Sequence, residues 1–346
     1  MTRKKVKKTK KTLKIALIIL FILGVFTTYF AYTLFFSPNT KKDEVFFIKT
    51  GSSYQDIKAN LQRENLISNI YSFELYSYIK KYPQHIKPGK YTIHKRMNNR
   101  DLVNMLILGK QTPVKLTFNN IRTIEQLSKK LSEQLEPDSA TIFKAITNNI
   151  FLQENKLSIY TVPAIFIPNT YEVWWNTSAE NIVKKMLNEY HKFWTSDRLQ
   201  KAKQQGVTPI EVSIIASIID EETRKNDEKP NVASVYLNRY RKGMLLQADP
   251  TVKFAIGDFG LRRILNQHLK SDSPYNTYKH KGLPPGPIQI ASISSIESVL
   301  NANKTNYLYF CAKEDFSGYH NFAENYDKHL KNAKLYWKAL NAKGVK

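Results

Sequence analysis

The chain has 346 residues, 42% hydrophobic and 24% charged, which is enough for two or three domains and typical of a globular rather than a disordered protein. Its net charge of +24 is unevenly spread: the first 14 residues hold eight Lys and Arg and no acid, leaving +16 on the remainder. That excess suits nucleic acid, anionic lipid or an acidic polymer, and the charge alone does not choose among them.

An apolar segment follows the basic tail. Residues 15–36 contain no charged residue over 22 positions, and at about 1.5 Å per residue they are long enough to cross a hydrocarbon layer of roughly 30 Å. A cleaved signal peptide is the alternative, but its apolar region is normally about 7–15 residues followed by small residues. This segment is longer and ends in aromatic residues. We therefore predict an uncleaved single-pass anchor.

The positive-inside rule assigns residues 1–14 to the cytoplasm as a basic tail. The chain after the anchor then lies outside the cytoplasm, which disfavours nucleic acid as a partner. Residues 37–42, SPNTKK, are predicted to be a short polar linker.

The segment after this linker predicts a small α/β module. A strand, a turn and a helix are expected in EVFFIKTGSSYQDIKANL, and IKPGKYTIHKRMNNRDLVNMLILG repeats that plan. Short strand and helix pairs of this kind resemble a LysM-like glycan-binding domain. Residues 43–113 are therefore assigned to a LysM-like module.

Residues 114–346 are predicted to form one helix-rich α+β catalytic domain. Helices are expected at 123–135, 178–194, 209–223, 229–243, 291–302 and 325–341, with a strand at 306–313. Capping boxes are expected where Thr123 precedes Gln126 and where Thr208 precedes Glu211. The predicted fold class is α+β, with an N-terminal transmembrane helix, the LysM-like module and this domain.

Three adjacent acids end the helix expected to start at Pro209, in ASIIDEETRK (216–225). At about 100° per residue, Glu222 falls in the middle of the apolar stripe, whereas Asp220 and Glu221 point away from it. We therefore expect Asp220 and Glu221 to be solvated surface residues.

A carboxyl group at an apolar wall loses water, and this favours its protonated form. A protonated carboxyl near neutral pH is what a general acid requires. Glu222 is thus the candidate catalytic residue. The alternative is that this terminal Glu bends into solvent or pairs with Arg224 or Lys225.

Two later segments are rich in groups that suit a sugar. In MLLQADPTVKF, an extended chain would place Gln247, Asp249 and Thr251 on one side. In SPYNTYKHKGLPPGPI, Asn276 and Tyr278 offer directional hydrogen bonds and a flat apolar face. Gln247, Asp249, Asn276 and Tyr278 are therefore candidate substrate-binding residues.

Cysteine and histidine give little chemistry. Cys311 is the single cysteine, so an internal disulfide is excluded, and its apolar surroundings predict a buried small side chain rather than a nucleophile. His320 in GYHNF is interpreted as a packed loop residue rather than a binding one. No HExxH, paired CxxC or P-loop pattern occurs. We expect no metal, no nucleotide and no other cofactor.

Several segments together resemble the YceG-like family of endolytic murein transglycosylases (MltG). They are ASIIDEET, VASVYLNRYRKGMLLQADPTV, SPYNTYKHKGLPPGPI, FIPNTYEVWWNTS and GYHNF, in the same order and with similar spacing. The family motif reads ASI-[IV]-E-x-E-T, and its catalytic second acid corresponds to Glu222. Asp220 stands where the family usually has Glu, and Glu221 fills the variable position. The stretch FNNIRT (118–123) also departs from the family pattern.

The resemblance implies non-hydrolytic cleavage of the MurNAc–GlcNAc bond within peptidoglycan strands, leaving 1,6-anhydroMurNAc ends and terminating strand elongation. Glu222 would protonate the glycosidic oxygen and then act as base towards the C6 hydroxyl of MurNAc. The resemblance also implies a bacterial cytoplasmic membrane location and contact with peptidoglycan synthases. The residues themselves do not show such contact.

Two other functions stay open from the sequence. In a hydrolytic muramidase, Glu222 would be the acid and Asp249 the second carboxylate. In a non-catalytic scaffold, the basic surface and the LysM-like module would bind peptidoglycan without cleaving it.

Overall fold

The computed structural model describes residues 2–261 and 263–343. They form two compact units. The first comprises the chain up to Val114 together with Glu172–Asn176, and the second comprises Lys115–Tyr171 and the chain from Thr177 onward.

The N-terminal helix α1 runs from Thr2 to Phe35. Its part Lys10–Phe35 is long and apolar enough to cross a membrane, and its side chains are almost all exposed. This agrees with the predicted anchor at 15–36. The helix begins earlier than that span because Lys and Arg are good helix formers and the basic tail contains neither Gly nor Pro.

The segment 37–42 is part of the first unit, which corrects its prediction as a linker. Asn39 and Thr40 are buried, and the Asn39 amide donates to Asn99 Oδ1 at 2.6 Å. Thr40 Oγ1 donates to the His94 carbonyl at 2.6 Å. Hydrogen bonds to the module therefore fix the chain where it leaves the helix.

The first unit contains two strands and three helices besides α1: β1 (Glu44–Ile48), α2 (Tyr54–Arg63), α3 (Ile70–Ile79), β2 (Gly89–Ile93) and α4 (Asn99–Leu108). The two strands pair antiparallel, with Phe46 opposite Tyr91. Their inward residues pack with the apolar faces of the helices, and Leu34 at the end of α1 joins this core. Helix α3 was not predicted, because its sequence is apolar on most sides and lacks a clear helical stripe.

Two three-residue strands, β3 (Val114–Leu116) and β4 (Tyr171–Val173), lie where the chain passes between the units. The second unit is mainly helical. Its elements are α5 (Ile124–Ser132), α6 (Ser139–Ile146), α7 (Asn149–Glu154), α8 (Ala179–Phe193), α9 (Ser196–Gln205), α10 (Pro209–Glu222), α11 (Lys229–Arg241), α12 (Asp249–Ile256), α13 (Ile293–Leu300), β5 (Tyr309–Ala312), β6 (His320–Ala323) and α14 (Tyr326–Ala342). Strands β5 and β6 pair antiparallel. Helix α10 contacts α9, α11, α12 and α13, and so lies at the centre of this unit.

The predicted helices are present with small shifts at their ends, and α6, α7, α9 and α12 were not predicted. The capping box of Thr208 and Glu211 is confirmed. At α5 only half of the expected box forms: Thr123 accepts from the Gln126 backbone, but the Gln126 side chain accepts from Arg122 N instead. The helix-rich α+β class is confirmed.

Candidate active site

Helix α10 delivers Glu222 to the site. Its apolar run is buried almost completely from Val212 to Ile219, which fixes the rotation of the helix. The helix ends at Glu222 because Thr223 is extended, with φ −144° and ψ 141°. The acid is therefore the last residue of a rigid, buried element rather than part of a loop.

Glu222 lines a cavity of about 310 Å³, together with Val235, Tyr236, Arg239, Leu246, Gln247, Asp249, Tyr278, Phe310 and His329. Its Oε1 accepts a hydrogen bond from the Tyr236 hydroxyl at 2.7 Å. No ion pair reaches this carboxyl group from any residue in the described ranges. The contact with Arg224 or Lys225 considered from the sequence is accordingly not formed.

Burial raises the pKa of Glu222 to about 7. The hydrogen bond from Tyr236 opposes this rise by stabilising the carboxylate, while the negative charge of Asp249 adds to it. A carboxyl group that is about half protonated at neutral pH can both give and take a proton. That is the property required of a single acid and base.

Three of the four predicted substrate-binding residues line the same cavity: Gln247, Asp249 and Tyr278. The Tyr278 hydroxyl donates to Asp249 Oδ1 at 2.6 Å, and Arg239 Nη1 donates to Gln247 Oε1 at 3.2 Å. Gln247 has a left-handed backbone, with φ 52°. This turn points the chain into α12, which begins at Asp249.

The expected extended segment through Gln247, Asp249 and Thr251 is therefore wrong. Asp249 starts a helix, and Thr251 is fully buried. The Thr251 hydroxyl donates to the Ala248 carbonyl at 2.7 Å and lies 2.8 Å from Thr277 Oγ1. Thr251 thus holds the two segments together, and only the first two residues of the trio face the cavity.

Asn276 does not lie in the cavity. It is completely buried, and its amide donates to the Leu269 and Ser271 carbonyls at 2.9 and 2.7 Å. Its Oδ1 accepts from the Tyr278 backbone at 3.1 Å. Both donors are occupied by backbone, so its surroundings favour a role in ordering the loop that carries Tyr278.

Gly286 allows the loop that carries Tyr278 to pack against the backbone of Tyr160. A Cβ atom at Gly286 would lie 1.9 Å from the Tyr160 carbonyl oxygen, so a larger residue cannot fit without moving the backbone. The Pro-Pro-Gly turn of the sequence is a close backbone contact as well as a stiff turn.

Asp220 is not a solvated surface residue, which corrects the prediction from the sequence. Its side chain is 12% exposed and pairs with Lys229 Nζ at 3.1 Å. It also accepts from Ser292 N and Ser292 Oγ at 2.7 Å each, and from Ser295 Oγ at 2.5 Å. The face of α10 that carries Asp220 is covered by the starts of α11 and α13.

Glu221 is closer to the expectation. Its side chain is a quarter exposed and pairs with Arg122 Nη2 at 2.7 Å.

The end of α10 is joined to the β5–β6 hairpin through Glu228. Glu228 is buried, accepts from Thr223 Oγ1 at 3.2 Å, and lies 2.8 Å from His320 Nδ1. His320 is thus a packed residue, as interpreted from the sequence.

The sequence missed Tyr236 and Arg239, which lie on α11 and line the cavity. Their spacing of three residues puts them on one helix face, and this was the available signal. Phe310 and His329 were also missed, because only the tertiary fold brings β5 and α14 to the cavity. Within 2–261 and 263–343, no group of three or more His, Cys, Asp or Glu could hold a metal ion.

Comparisons with known proteins identify the family of the chain. The chain is 29% identical over 316 residues to an endolytic murein transglycosylase of Bacillus subtilis strain 168, covering 86% of this chain and 85% of that protein. It is 29% identical over 325 residues to an endolytic murein transglycosylase of Streptococcus pneumoniae strain D39, covering 85% of this chain and 58% of that longer protein.

A crystal structure of a YceG-like protein from Listeria monocytogenes is also similar. Its TM-score is 0.55 at 28% identity, and the match covers 84% of this chain and 98% of that one. The description of the YceG-like family matches residues 46–335, from the first strand to the last helix, and this chain belongs to the YceG-like family.

Proposed function

We propose that this protein is a membrane-anchored lytic transglycosylase that cleaves peptidoglycan within its glycan strands, with Glu222 as the single acid and base. The observation that carries the proposal is the Glu222 carboxyl group, whose pKa is raised to about 7 in a cavity that it shares with Asp249 and Tyr278. The names of the related proteins supply the substrate class.

In the first step, Glu222 gives its proton to the oxygen between C1 of MurNAc and C4 of GlcNAc, and the C1–O bond breaks. In the second, the C6 hydroxyl of the same MurNAc attacks C1 and its proton passes to the Glu222 carboxylate. The new C1–O6 bond closes a 1,6-anhydro ring. No water is consumed, and the acid returns to its starting state.

The other residues of the cavity have proposed roles that follow from their contacts. The Asp249 carboxylate stabilises the positive charge that develops at C1. The Tyr278 hydroxyl orients this carboxylate through their 2.6 Å hydrogen bond. Gln247 is exposed and its amide nitrogen is the group left to donate to a sugar oxygen. Asn276 acts indirectly, because it orders the loop that carries Tyr278.

Membrane topology and the first unit complete the proposal. The basic residues before the anchor favour a cytoplasmic N-terminus, with both units outside a bacterial cytoplasmic membrane. The order of strand, two helices and strand in residues 43–113 supports the LysM-like interpretation. In that position the enzyme would meet new strands and end their elongation beside the peptidoglycan synthases.

The test is the mass of the products. Full-length protein in detergent, incubated with peptidoglycan, should release muropeptides with anhydro ends, which are lighter by one water than reducing ends. Glu222→Gln should lower the rate by a factor of about 10² to 10⁴, the usual contribution of a general acid. Glu180→Gln is the matched control, because Glu180 is an exposed acid at the start of α8 that does not line the cavity of Glu222, and it should keep most of the activity. Normal activity of Glu222→Gln would falsify the assignment of the acid.

One observation favours a second candidate, the hydrolytic muramidase. Asp249 lines the cavity of Glu222 and its charge acts on that acid, so two carboxylates are available for a hydrolytic reaction. Reducing ends without the anhydro mass would establish this candidate. Binding to peptidoglycan with no product under any condition would support the remaining function, a non-catalytic scaffold.

A further inference from the structure

A second cavity adjoins the helical turn that carries Glu222. It has a volume of about 820 Å³. We call it the amide groove, and its lining is Asn119, Asn120, Arg122, Pro168, Asp220, Glu221, Thr223, Arg224, Lys229, Gln289, Ile290, Ser292 and Ser294. Asp220, Glu221 and Thr223 face this groove, whereas Glu222 faces the reaction cavity. One turn of α10 therefore separates the two.

One wall of the groove carries a polar side chain that lies largely out of solvent and has no partner within the described part of the chain. Gln289 is only 7% exposed, yet its side-chain amide has no hydrogen-bond partner among the described residues. The amide atoms of Gln289 are not among the fully buried polar atoms without a partner, so they are open to the groove rather than sealed in the core. Gln289 therefore presents one donor group and one acceptor that a ligand in the groove can use.

The opposite wall supplies two more amides. Asn119 and Asn120 are exposed, and their side chains make no hydrogen bond within the described part of the chain. They belong to FNNIRT, the stretch that departs from the family pattern and has no place in the reaction cavity. Three primary amides, each with a donor and an acceptor, thus face one groove.

The charges of the groove leave one cation free. Lys229 is paired with Asp220, and Arg122 is paired with Glu221. Arg224 is exposed and forms no ion pair with a described residue. A guanidinium group binds a carboxylate through two parallel hydrogen bonds. The ligand that suits the groove therefore carries amide groups and a carboxylate.

The residues that line the amide groove suit a peptide better than a sugar. The lining of the reaction cavity includes the partly exposed rings of Tyr278 and Phe310, and flat aromatic faces suit sugar rings. None of the residues given above for the amide groove is aromatic. Side-chain amides match the donor and acceptor of a peptide bond, and Arg224 matches a terminal or side-chain carboxylate.

We propose that the amide groove binds the stem peptide that MurNAc carries, and so makes the enzyme select peptide-bearing glycan strands over stripped ones. The proposal rests on the proposed function, since it places the sugar of the same MurNAc near Glu222. The peptide begins at the sugar being cleaved, and the groove begins one helical turn away. Gln289, Asn119 and Asn120 pair with the peptide backbone, and Arg224 pairs with its carboxylate.

The experiment compares two substrates. Full-length protein in detergent is given glycan strands with intact stem peptides and the same strands after removal of the peptides by an amidase. We expect the wild type to cleave the peptide-bearing strands about tenfold faster, which is the effect of one charge-assisted hydrogen bond. Arg224→Ala and Gln289→Leu should bring the ratio of the two rates close to one.

Arg241→Ala is the matched control, because Arg241 is an exposed arginine that lines a different polar cavity. Its ratio should equal that of the wild type. A wild type that cleaves both substrates at the same rate overturns the proposal, as does an unchanged ratio in Arg224→Ala. Because Gln289 is buried, its variant counts only if its melting temperature is retained.

A binding measurement separates this proposal from the proposed function. Muramoyl pentapeptide is titrated into the full-length Glu222→Gln variant, with and without Arg224→Ala. We expect the dissociation constant to rise about tenfold with Arg224→Ala. If the wild type cleaves nothing, the proposed function fails while this measurement still decides whether the groove binds the peptide. Equal dissociation constants overturn the groove proposal even if the enzyme is active.

Discussion

Asp220 and Glu222 are carboxylates two residues apart on the same helix, and their surroundings are opposite. Asp220 accepts hydrogen bonds from three groups of Ser292 and Ser295 and pairs with Lys229. Glu222 accepts a single hydrogen bond, from the neutral hydroxyl of Tyr236. Both are withdrawn from water, but only Asp220 is compensated for the loss.

The two acids therefore differ in how many groups compensate each carboxylate for its loss of water. Several donors and a cation let the Asp220 side chain hold neighbouring elements together, whereas burial with a single donor raises the pKa of Glu222. Asp220 joins α10 to α11 and α13, while Glu222 is left free to exchange a proton.

The largest effect is expected from breaking the anchor. The side chain of Lys229 is 7% exposed, and Asp220→Ala leaves its ammonium group with Ser294 as its one partner among the described residues. We expect the free energy of unfolding to fall by about 3 kcal/mol, the usual cost of removing one member of a buried pair. Chemical denaturation of the full chain in detergent measures this change.

Two further variants sharpen the prediction for Asp220. The double variant Asp220→Ala with Lys229→Met should recover part of the lost stability, because the buried charge is gone. Glu221→Gln breaks the more exposed pair with Arg122 and should cost at most about 1 kcal/mol. A loss as large as that of Asp220→Ala would remove the distinction between the two pairs.

The next effect concerns stability and pH at Glu222. Its pKa is about 7 in the folded protein and near 4.5 when unfolded, so the folded state holds more protons between these values. Stability from this group is present below pH 4.5 and is lost as pH rises through 7. Glu222→Gln does not titrate, and it should gain on the wild type by about 3 kcal/mol between pH 4.5 and 8.

Thermal melts of both proteins at a series of pH values test this gain. Glu221→Gln, measured alongside, should show no comparable rise relative to the wild type. A constant difference between wild type and Glu222→Gln at all pH values would contradict a raised pKa at this residue.

The smallest effect is expected at Tyr236. Its hydrogen bond stabilises the Glu222 carboxylate, so Tyr236→Phe should raise the pKa of Glu222 further. If cleavage requires the protonated acid, the alkaline limb of the plot of kcat/KM against pH should move to higher pH. A limb that moves to lower pH, or a loss of rate with no shift, would contradict this role for the hydroxyl.

The sequence placed Glu222 on the buried face of α10 but did not place the partners of Asp220. Helical periodicity placed Glu222 on the apolar face, because the rotation of a helix is set by its own residues. The same projection placed Asp220 in solvent. It failed because Lys229, Ser292 and Ser295 come from other helices, whose positions a helical wheel does not contain.

The site residues divide in the same way. Gln247, Asp249 and Tyr278 were found because polar and aromatic groups stood out in apolar or turn-rich segments. Asn276 stood out equally, but whether an amide faces a cavity or its own loop depends on the path of the backbone. The helix that begins at Asp249 was missed because it follows a turn at Gln247, whose backbone is left-handed. No sequence pattern predicted that turn.

The end of α10 at Glu222 has a further consequence through the helix dipole. The last turn of a helix carries partial negative charge from carbonyl groups that lack partners. Lys229 and Arg122 offset this field at Asp220 and Glu221, but no cation of residues 2–261 or 263–343 forms an ion pair with Glu222. After donating its proton, Glu222 would stand as an anion in a negative field. In the proposed mechanism, the helix end thereby favours recapture of a proton from the C6 hydroxyl, the step that would complete the reaction.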